Sequence, residues 1–96
     1  MRDLFDLYRA DATSRIAAVR EAFHALDSGA LERAAHQLQG SSVSVGAAVV
    51  AWASRRIECL ASNGDVEEAQ PYVARLQPDF DRACAAMEET LRGDGG

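Results

Sequence analysis

Apolar residues recur at spacings of three and four along almost the whole chain, which is the pattern of amphipathic α-helices. Four such segments can be distinguished, and short stretches of turn-forming residues separate them. The first spans residues 3–27, the second surrounds His36, the third ends near Ser62, and the fourth keeps one apolar stripe over residues 66–91. No segment alternates with the period of two that a half-buried strand requires.

Four amphipathic helices must bury their stripes against one another, and short connections between them favour antiparallel neighbours. The sequence therefore predicts an all-α fold, an antiparallel up-down four-helix bundle. We expect a single domain of residues 1–96 with a core of about residues 3–92. The last stripe keeps its phase across Pro71 and Pro78, which predicts one long, kinked helix rather than two separate ones.

The composition excludes several classes of function. A net charge of −5 disfavours nucleic acid as a partner, since no basic face would neutralise phosphates. All ten positively charged residues are arginines, a composition that suggests a GC-rich bacterial genome. No apolar run approaches the length of a membrane span, and the start of the chain lacks a secretory signal pattern. We therefore expect a soluble, cytoplasmic protein or a cytoplasmic part of a larger one.

The two cysteines, Cys59 and Cys84, are far apart in the sequence and both lie in apolar helical surroundings. They have no suitably spaced histidine partners, so they do not predict a zinc site. We expect both to be small core residues.

His36 lies on the side of its helix that points away from the apolar stripe, about 150° from the centre of that stripe. Gly40 follows one turn later on the same side, and Val43 adds an apolar group there. A glycine inside a helix costs roughly 1 kcal/mol relative to alanine, so a gap beside an exposed imidazole needs a reason. Docking of a partner protein over the ring provides one. His24 has no such neighbours, and we assign it no role.

The segment around His36 resembles the signature of the histidine-containing phosphotransfer (HPt) domains of bacterial phosphorelays. That signature is His-x-Leu-Lys-Gly, followed by two small residues (Ser or Ala) and by a second glycine six residues after the first. The length of the chain and the order of its helices fit the same family, so the resemblance covers almost all of residues 3–92. The chain matches the signature at six positions: His36, Leu38, Gly40, Ser41, Ser42 and Gly46.

The resemblance implies a phosphocarrier rather than an enzyme. His36 would accept a phosphoryl group on Nε2 from an aspartate of a receiver domain and pass it to another receiver domain. Glu58, 22 positions after His36, stands where the family carries an acid or amide that accepts a hydrogen bond from Nδ1. Such a carboxylate would fix the tautomer of the ring and leave Nε2 free to attack. No cofactor is expected in this chain, because the Mg²⁺ ion would belong to the receiver partner.

Gln39 departs from the family pattern, which has lysine at this position. A glutamine amide can donate a hydrogen bond to a phosphoryl oxygen, but it brings no charge, and charge-assisted hydrogen bonds are roughly twice as strong as neutral ones. The departure leaves a second interpretation open, namely a helical bundle that binds receivers or other proteins without carrying phosphate.

Two further classes of protein fit less well. The dimerising phosphoacceptor domain of a sensor kinase usually has an acid directly after its histidine and a proline shortly beyond. This chain has Gln37 and Ser42 at those places, with no proline nearby. An ATP-using enzyme is disfavoured, because the chain has no glycine-rich phosphate loop of the Walker type.

We expect receiver domains of response regulators to dock on the face that carries His36, Gly40 and Val43, extended by Leu4 and Tyr8 of the first helix. The bundle is expected to be a monomer that binds neither nucleic acid nor membrane. A hybrid sensor histidine kinase is a further candidate partner. The sequence leaves open whether the chain is a free-standing protein or one domain of such a kinase.

Overall fold

Four α-helices follow one another in this computed structural model, which describes residues 2–45 and 47–95. A short 3₁₀ turn, Glu67–Ala69, precedes the last helix. Gly46, the second glycine of the motif, lies outside the described residues. The helices are α1 (Arg2–His24), α2 (Ser28–Ser44), α3 (Ala48–Ser62) and α4 (Gln70–Gly95).

The four helices form the up-down bundle that the sequence predicts. Each helix packs against two others, so that the contacting pairs are α1–α2, α2–α3, α3–α4 and α4–α1. The bundle is elongated, with extents of 48 × 19 × 18 Å. Within residues 2–45 and 47–95 there is no β-strand.

The core consists of the apolar stripes of the four helices. Burying one side chain of the size of leucine or isoleucine contributes about 1.5–3 kcal/mol, so these stripes fix the rotation of each helix about its axis. The stripe of α2 is buried as its spacing predicts, which turns the opposite face of α2 to solvent. Its buried apolar residues are Leu31, Ala34, Ala35 and Leu38.

The chain has the same backbone conformation just after α1 and just after α3, although only α3 has a glycine at that place. Gly64 has a φ of +81°, and the N–H groups of Gly64 and Asp65 donate back to carbonyls in the last turn of α3 at 3.0 and 2.8 Å. This is the Schellman arrangement, which favours glycine because the left-handed region is strained for other residues. Leu26 occupies the equivalent place after α1 with a φ of 55°, and its side chain is exposed.

Capping and proline placement explain where α2 and α4 begin. The side chain of Asp27 accepts a hydrogen bond from the N–H of Ala30 at 3.1 Å, which satisfies a free donor in the first turn of α2. Pro71 is the second residue of α4, where its missing N–H costs no helical hydrogen bond. Pro78 lies inside α4, and the helix continues through it as one element, as predicted. A kink at Pro78 stays a prediction.

Candidate functional site

His36 is exposed on the outer face of α2. Its side chain is 69% accessible to solvent, while the opposite side of the helix is buried in the core. Gly40 lies one turn further along, and a Cβ atom built on it would meet no other atom within 4 Å. Its backbone is helical, so neither packing inside the chain nor a strained φ requires glycine here. The gap beside the ring therefore faces solvent.

Glu58 on α3 holds the His36 ring from the neighbouring helix. The distance from His36 Nδ1 to Glu58 Oε2 is 2.9 Å. An ionised carboxylate can only accept hydrogen bonds, so Nδ1 carries the hydrogen and donates it. In the neutral ring Nε2 then has a free lone pair, and it bonds to none of the residues that the structure describes. The structure thus brings together the two residues that the sequence analysis paired.

A groove of about 310 Å³ runs between α2 and α3 beside the histidine. Gln39, at the position where the family signature has a lysine, lies in its wall and is partly buried. The groove also contains a cation, Arg55, which the sequence analysis did not single out. The residues that line the groove include Glu32, His36, Gln39, Arg55, Glu58 and Cys59.

The prediction that both cysteines are core residues is wrong for Cys59. Cys84 is buried, and burial raises the pKa of its thiol. Cys59 is exposed and lines the groove. The reason is its position on α3: Ile57 and Ala61 face the core, and Cys59, between them, follows Glu58 onto the opposite side.

A network of polar side chains joins α1 to α2 on the other flank of the histidine. Ser41 Oγ donates to Asp11 Oδ2 at 2.9 Å, and Arg15 Nε donates to the same oxygen at 2.7 Å. A second nitrogen of Arg15 donates to Gln37 Oε1 at 2.7 Å. The hydrogen bonds from Arg15 and Ser41 hold the pKa of Asp11 below its ordinary value of 3.8. This network was not predicted from the sequence, although Asp11 and Arg15 have the spacing of a helical ion pair.

The predicted docking residues separate into exposed and buried groups. Val43 and Leu4 are each more than half exposed. Tyr8 is only 5% exposed, so the prediction that it extends the docking surface is wrong. It belongs to the inward stripe of α1, where a hydrogen bond of 3.1 Å joins its hydroxyl to Ser42 Oγ and its ring packs edge-on against Phe80. Burial raises the pKa of the Tyr8 hydroxyl.

Neither a metal-binding cluster nor a membrane-spanning helix is found in the part of the chain that the structure describes. No group of three or more His, Cys, Asp or Glu side chains is placed to hold a metal ion there. No helix in residues 2–45 and 47–95 combines the length and apolar character needed to cross a lipid bilayer.

A four-helix bundle with an exposed histidine that a carboxylate of the next helix holds through Nδ1 has the architecture of a phosphocarrier. The family model of the Hpt domain matches residues 3–93, so the chain belongs to the Hpt domain family. Its class is thus that of the histidine phosphotransfer domains of phosphorelays, which carry phosphoryl groups and interact with receiver domains of response regulators.

One solved structure with the same fold is that of histidine-containing phosphotransfer protein B (HptB) from Pseudomonas aeruginosa PAO1. The TM-score is 0.87 at 24% sequence identity, and the match covers 96% of this chain and 84% of that one. No curated protein matches the chain by sequence.

Proposed function

We propose that His36 is the phosphoacceptor of this domain. It takes a phosphoryl group from the aspartate of one receiver domain and passes it to the aspartate of another. The observation that carries this proposal is the 2.9 Å hydrogen bond from His36 Nδ1 to Glu58 on a ring that is 69% exposed. The bond leaves Nε2 as the free nucleophile, and the exposure leaves room for a second protein above it.

The transfer needs no proton movement on the chain. The lone pair of Nε2 forms a bond to phosphorus while the bond between phosphorus and the aspartyl oxygen breaks, and the aspartate departs as a carboxylate. Nδ1 keeps its hydrogen, so the phosphorylated ring is positively charged. The carboxylate of Glu58 stabilises that charge through the same hydrogen bond that orients the ring. The reverse sequence of bond changes delivers the phosphoryl group to the next receiver.

Phosphoryl transfer asks a protein mainly for positioning and for stabilisation of charge. Glu58 positions the ring. Gln39, in the wall of the groove beside His36, donates a hydrogen bond from its side-chain amide to a phosphoryl oxygen. The Mg²⁺ ion that the reaction requires is bound in the receiver, and this chain holds no cofactor of its own.

Receiver domains dock on the exposed face around His36, with Gly40 admitting close approach and Val43 and Leu4 supplying apolar contact. The chain acts as a monomer in the cytoplasm. It is either a free-standing protein or a domain of a hybrid sensor histidine kinase.

Gln39 favours one alternative, a bundle that binds receivers without accepting phosphate. Without a cation at position 39, α2 offers no positive charge to a phosphoryl group at the place where the family signature has a lysine. The two functions differ in a single measurable product, the phosphohistidine.

The test is to incubate the chain with a panel of receiver domains carrying radiolabelled aspartyl phosphate. We expect label on the chain that is labile in acid and stable in base, and we expect none on His36→Gln. The matched control is His24→Gln, since His24 is the other histidine of the chain and should be dispensable. Binding of receivers without any transfer of label would contradict the proposal and support the alternative.

A further inference from the structure

In the groove between α2 and α3, side chains of the two helices lie opposite one another at the same height along the bundle. Because the two helices run antiparallel, each step along α2 is matched by an equal step back along α3. The hydrogen bond between His36 and Glu58 fixes the register of the two helices. Counting along both helices from this pair puts Gln39 opposite Arg55 and Glu32 opposite Ser62, and all six residues line the groove. Arg55 therefore lies across the groove from Gln39, about one turn along from the His36–Glu58 pair.

The residues that line this groove carry more negative than positive charge, which is unfavourable for a phosphoryl group. Glu32 and Glu58 are acidic and Gln39 is neutral, so Arg55 is the only cation among the described residues that line it. A phosphoryl group on Nε2 brings about two negative charges at neutral pH. Its oxygens need a counter-charge from the chain when no receiver is docked, and Arg55 is placed to supply it.

Arg55 is also free to turn toward such a group. Its side chain is exposed, and it makes no hydrogen bond or ion pair with any residue that the structure describes. A guanidinium group carries its donors in a planar fork that matches the oxygens of a phosphoryl group. Arg55 can therefore form paired hydrogen bonds without first breaking others.

Arg33 and Arg56, two other arginines near the groove, contact different residues from Arg55. Arg33 lines a second hollow beside His36 and Glu58, and its Nη1 atom lies near Gly29 at the start of α2, 3.4 Å from the position that a Cβ atom would take there. Arg56 turns toward α4, where its guanidinium lies 5.7 Å from the centre of the Tyr72 ring. Of the three arginines, only Arg55 lines the groove together with His36 and Gln39.

We propose that Arg55 binds the phosphoryl group carried by His36, supplying from α3 the positive charge that α2 lacks at Gln39. This inference rests on the proposed function of His36. Arg55 favours the phosphorylated form of the chain and so sets how the phosphoryl group divides between this domain and a receiver.

The experiment measures how the phosphoryl group divides between the chain and a receiver domain at equilibrium. A receiver domain that labels the wild-type chain is phosphorylated with radiolabelled acetyl phosphate and freed of excess reagent. It is then mixed with each variant, and the ratio of labelled chain to labelled receiver is read at equilibrium. We expect Arg55→Gln to lower the ratio by about three- to fivefold, since an exposed charge pair contributes little more than that. Arg55→Lys should retain most of the wild-type ratio.

Matched variants separate the role of charge from other effects. Arg56→Gln removes the same charge one residue away, and it should leave the ratio unchanged. The double variant Gln39→Lys with Arg55→Gln returns a cation to the same level of the groove and should restore the ratio. Affinity of the unphosphorylated chain for the receiver, measured in parallel, should be the same for Arg55→Gln and wild type.

A ratio for Arg55→Gln equal to that of wild type would overturn the inference. A double variant that stays at the Arg55→Gln ratio would overturn it too, as would a loss of receiver affinity that accounts for the whole shift. Failure of the proposed function looks different, because the wild-type chain itself would then carry no label.

Discussion

The imidazole of His36 on α2 donates its Nδ1 hydrogen to Glu58 Oε2 on α3 across 2.9 Å. This single contact between two helices decides which ring nitrogen is available to a partner. It also places a negative charge against the ring, where phosphorylation creates a positive one.

Replacing Glu58 should therefore slow phosphorylation of His36. Glu58→Ala removes both the acceptor and the charge, and we expect the rate of label transfer from a receiver to fall by about tenfold or more, as for other residues that orient a reacting imidazole. Glu58→Gln keeps an oxygen acceptor and loses only the charge, so its rate should lie between the two. The measurement is the initial rate of transfer at a fixed receiver concentration. Equal rates for Glu58→Ala and wild type would show that Glu58 does not orient the His36 ring for transfer.

Replacing Gly40 should stabilise the fold but weaken the docking of a receiver domain. Alanine favours the interior of a helix by about 1 kcal/mol over glycine, and the added Cβ meets nothing within the chain. Gly40→Ala should therefore raise the free energy of unfolding while weakening receiver binding, and Gly40→Met should weaken binding further. Urea denaturation and binding titrations of the same samples test both halves. A stabilised variant that still binds as tightly as wild type would show that receivers do not approach this gap.

Leu26 should be a site where glycine stabilises the fold. A left-handed conformation costs a residue with a Cβ atom about 1 kcal/mol, and the Leu26 side chain is exposed, so little packing is lost on its removal. Leu26→Gly should raise the melting temperature by roughly 4–8 °C, the shift expected for this gain in a domain of this size. Gly64→Ala is the converse test at the end of α3 and should lower the melting temperature. A Leu26→Gly protein that melts no higher than wild type would mean that Leu26 packs favourably where it is.

The Asp11 network should make stability depend on pH on the acid side. The pKa of Asp11 is lower in the folded state than its ordinary value of 3.8, mainly because of the hydrogen bond from Arg15. A group whose pKa is lowered by folding stabilises the folded state at pH values above its unfolded pKa. This contribution is lost as the pH falls through the pKa of the folded state. Asp11→Asn should thus reduce the free energy of unfolding at pH 7 by at most about 1 kcal/mol, since solvent screens this partly exposed pair.

The difference between Asp11→Asn and wild type should shrink as the pH falls below about 4, where wild type loses the same contribution. Thermal denaturation at several pH values measures it. Asp65→Asn is the control, because the carboxylate of Asp65 is exposed and accepts no hydrogen bond from an arginine of the described residues. A difference that stays constant from pH 7 to pH 3 would argue against the role of this network.

Helical periodicity was enough to predict most of the fold. It separates the inward face of α2, with Leu31 and Leu38, from the outward face with His36, because a helix has a fixed angle per residue. The family resemblance then points to Glu58, and the contact between His36 and Glu58 joins two helices. The backbone conformation of Leu26 could not be predicted in the same way, since the spacing of three and four continues to it while the helix ends at His24.

The rest depends on how neighbouring helices are aligned, which no single helix encodes. Tyr8 has the inward spacing of its stripe, and only the packing of α1 on α2 shows that its hydroxyl also has a buried partner, Ser42. The position of Arg55 opposite Gln39 follows from the register of α3 against α2. That register is set by the packing of both stripes in the core.

The unequal exposure of the two thiols makes this domain convenient for spectroscopy. Cys59 lines the groove beside the histidine and is open to solvent, whereas Cys84 is buried and its raised pKa keeps it protonated. A maleimide dye or spin label added to the native protein will therefore attach to one place, within reach of the transferred group. Turnover on the imidazole could then be followed in real time without introducing a foreign cysteine.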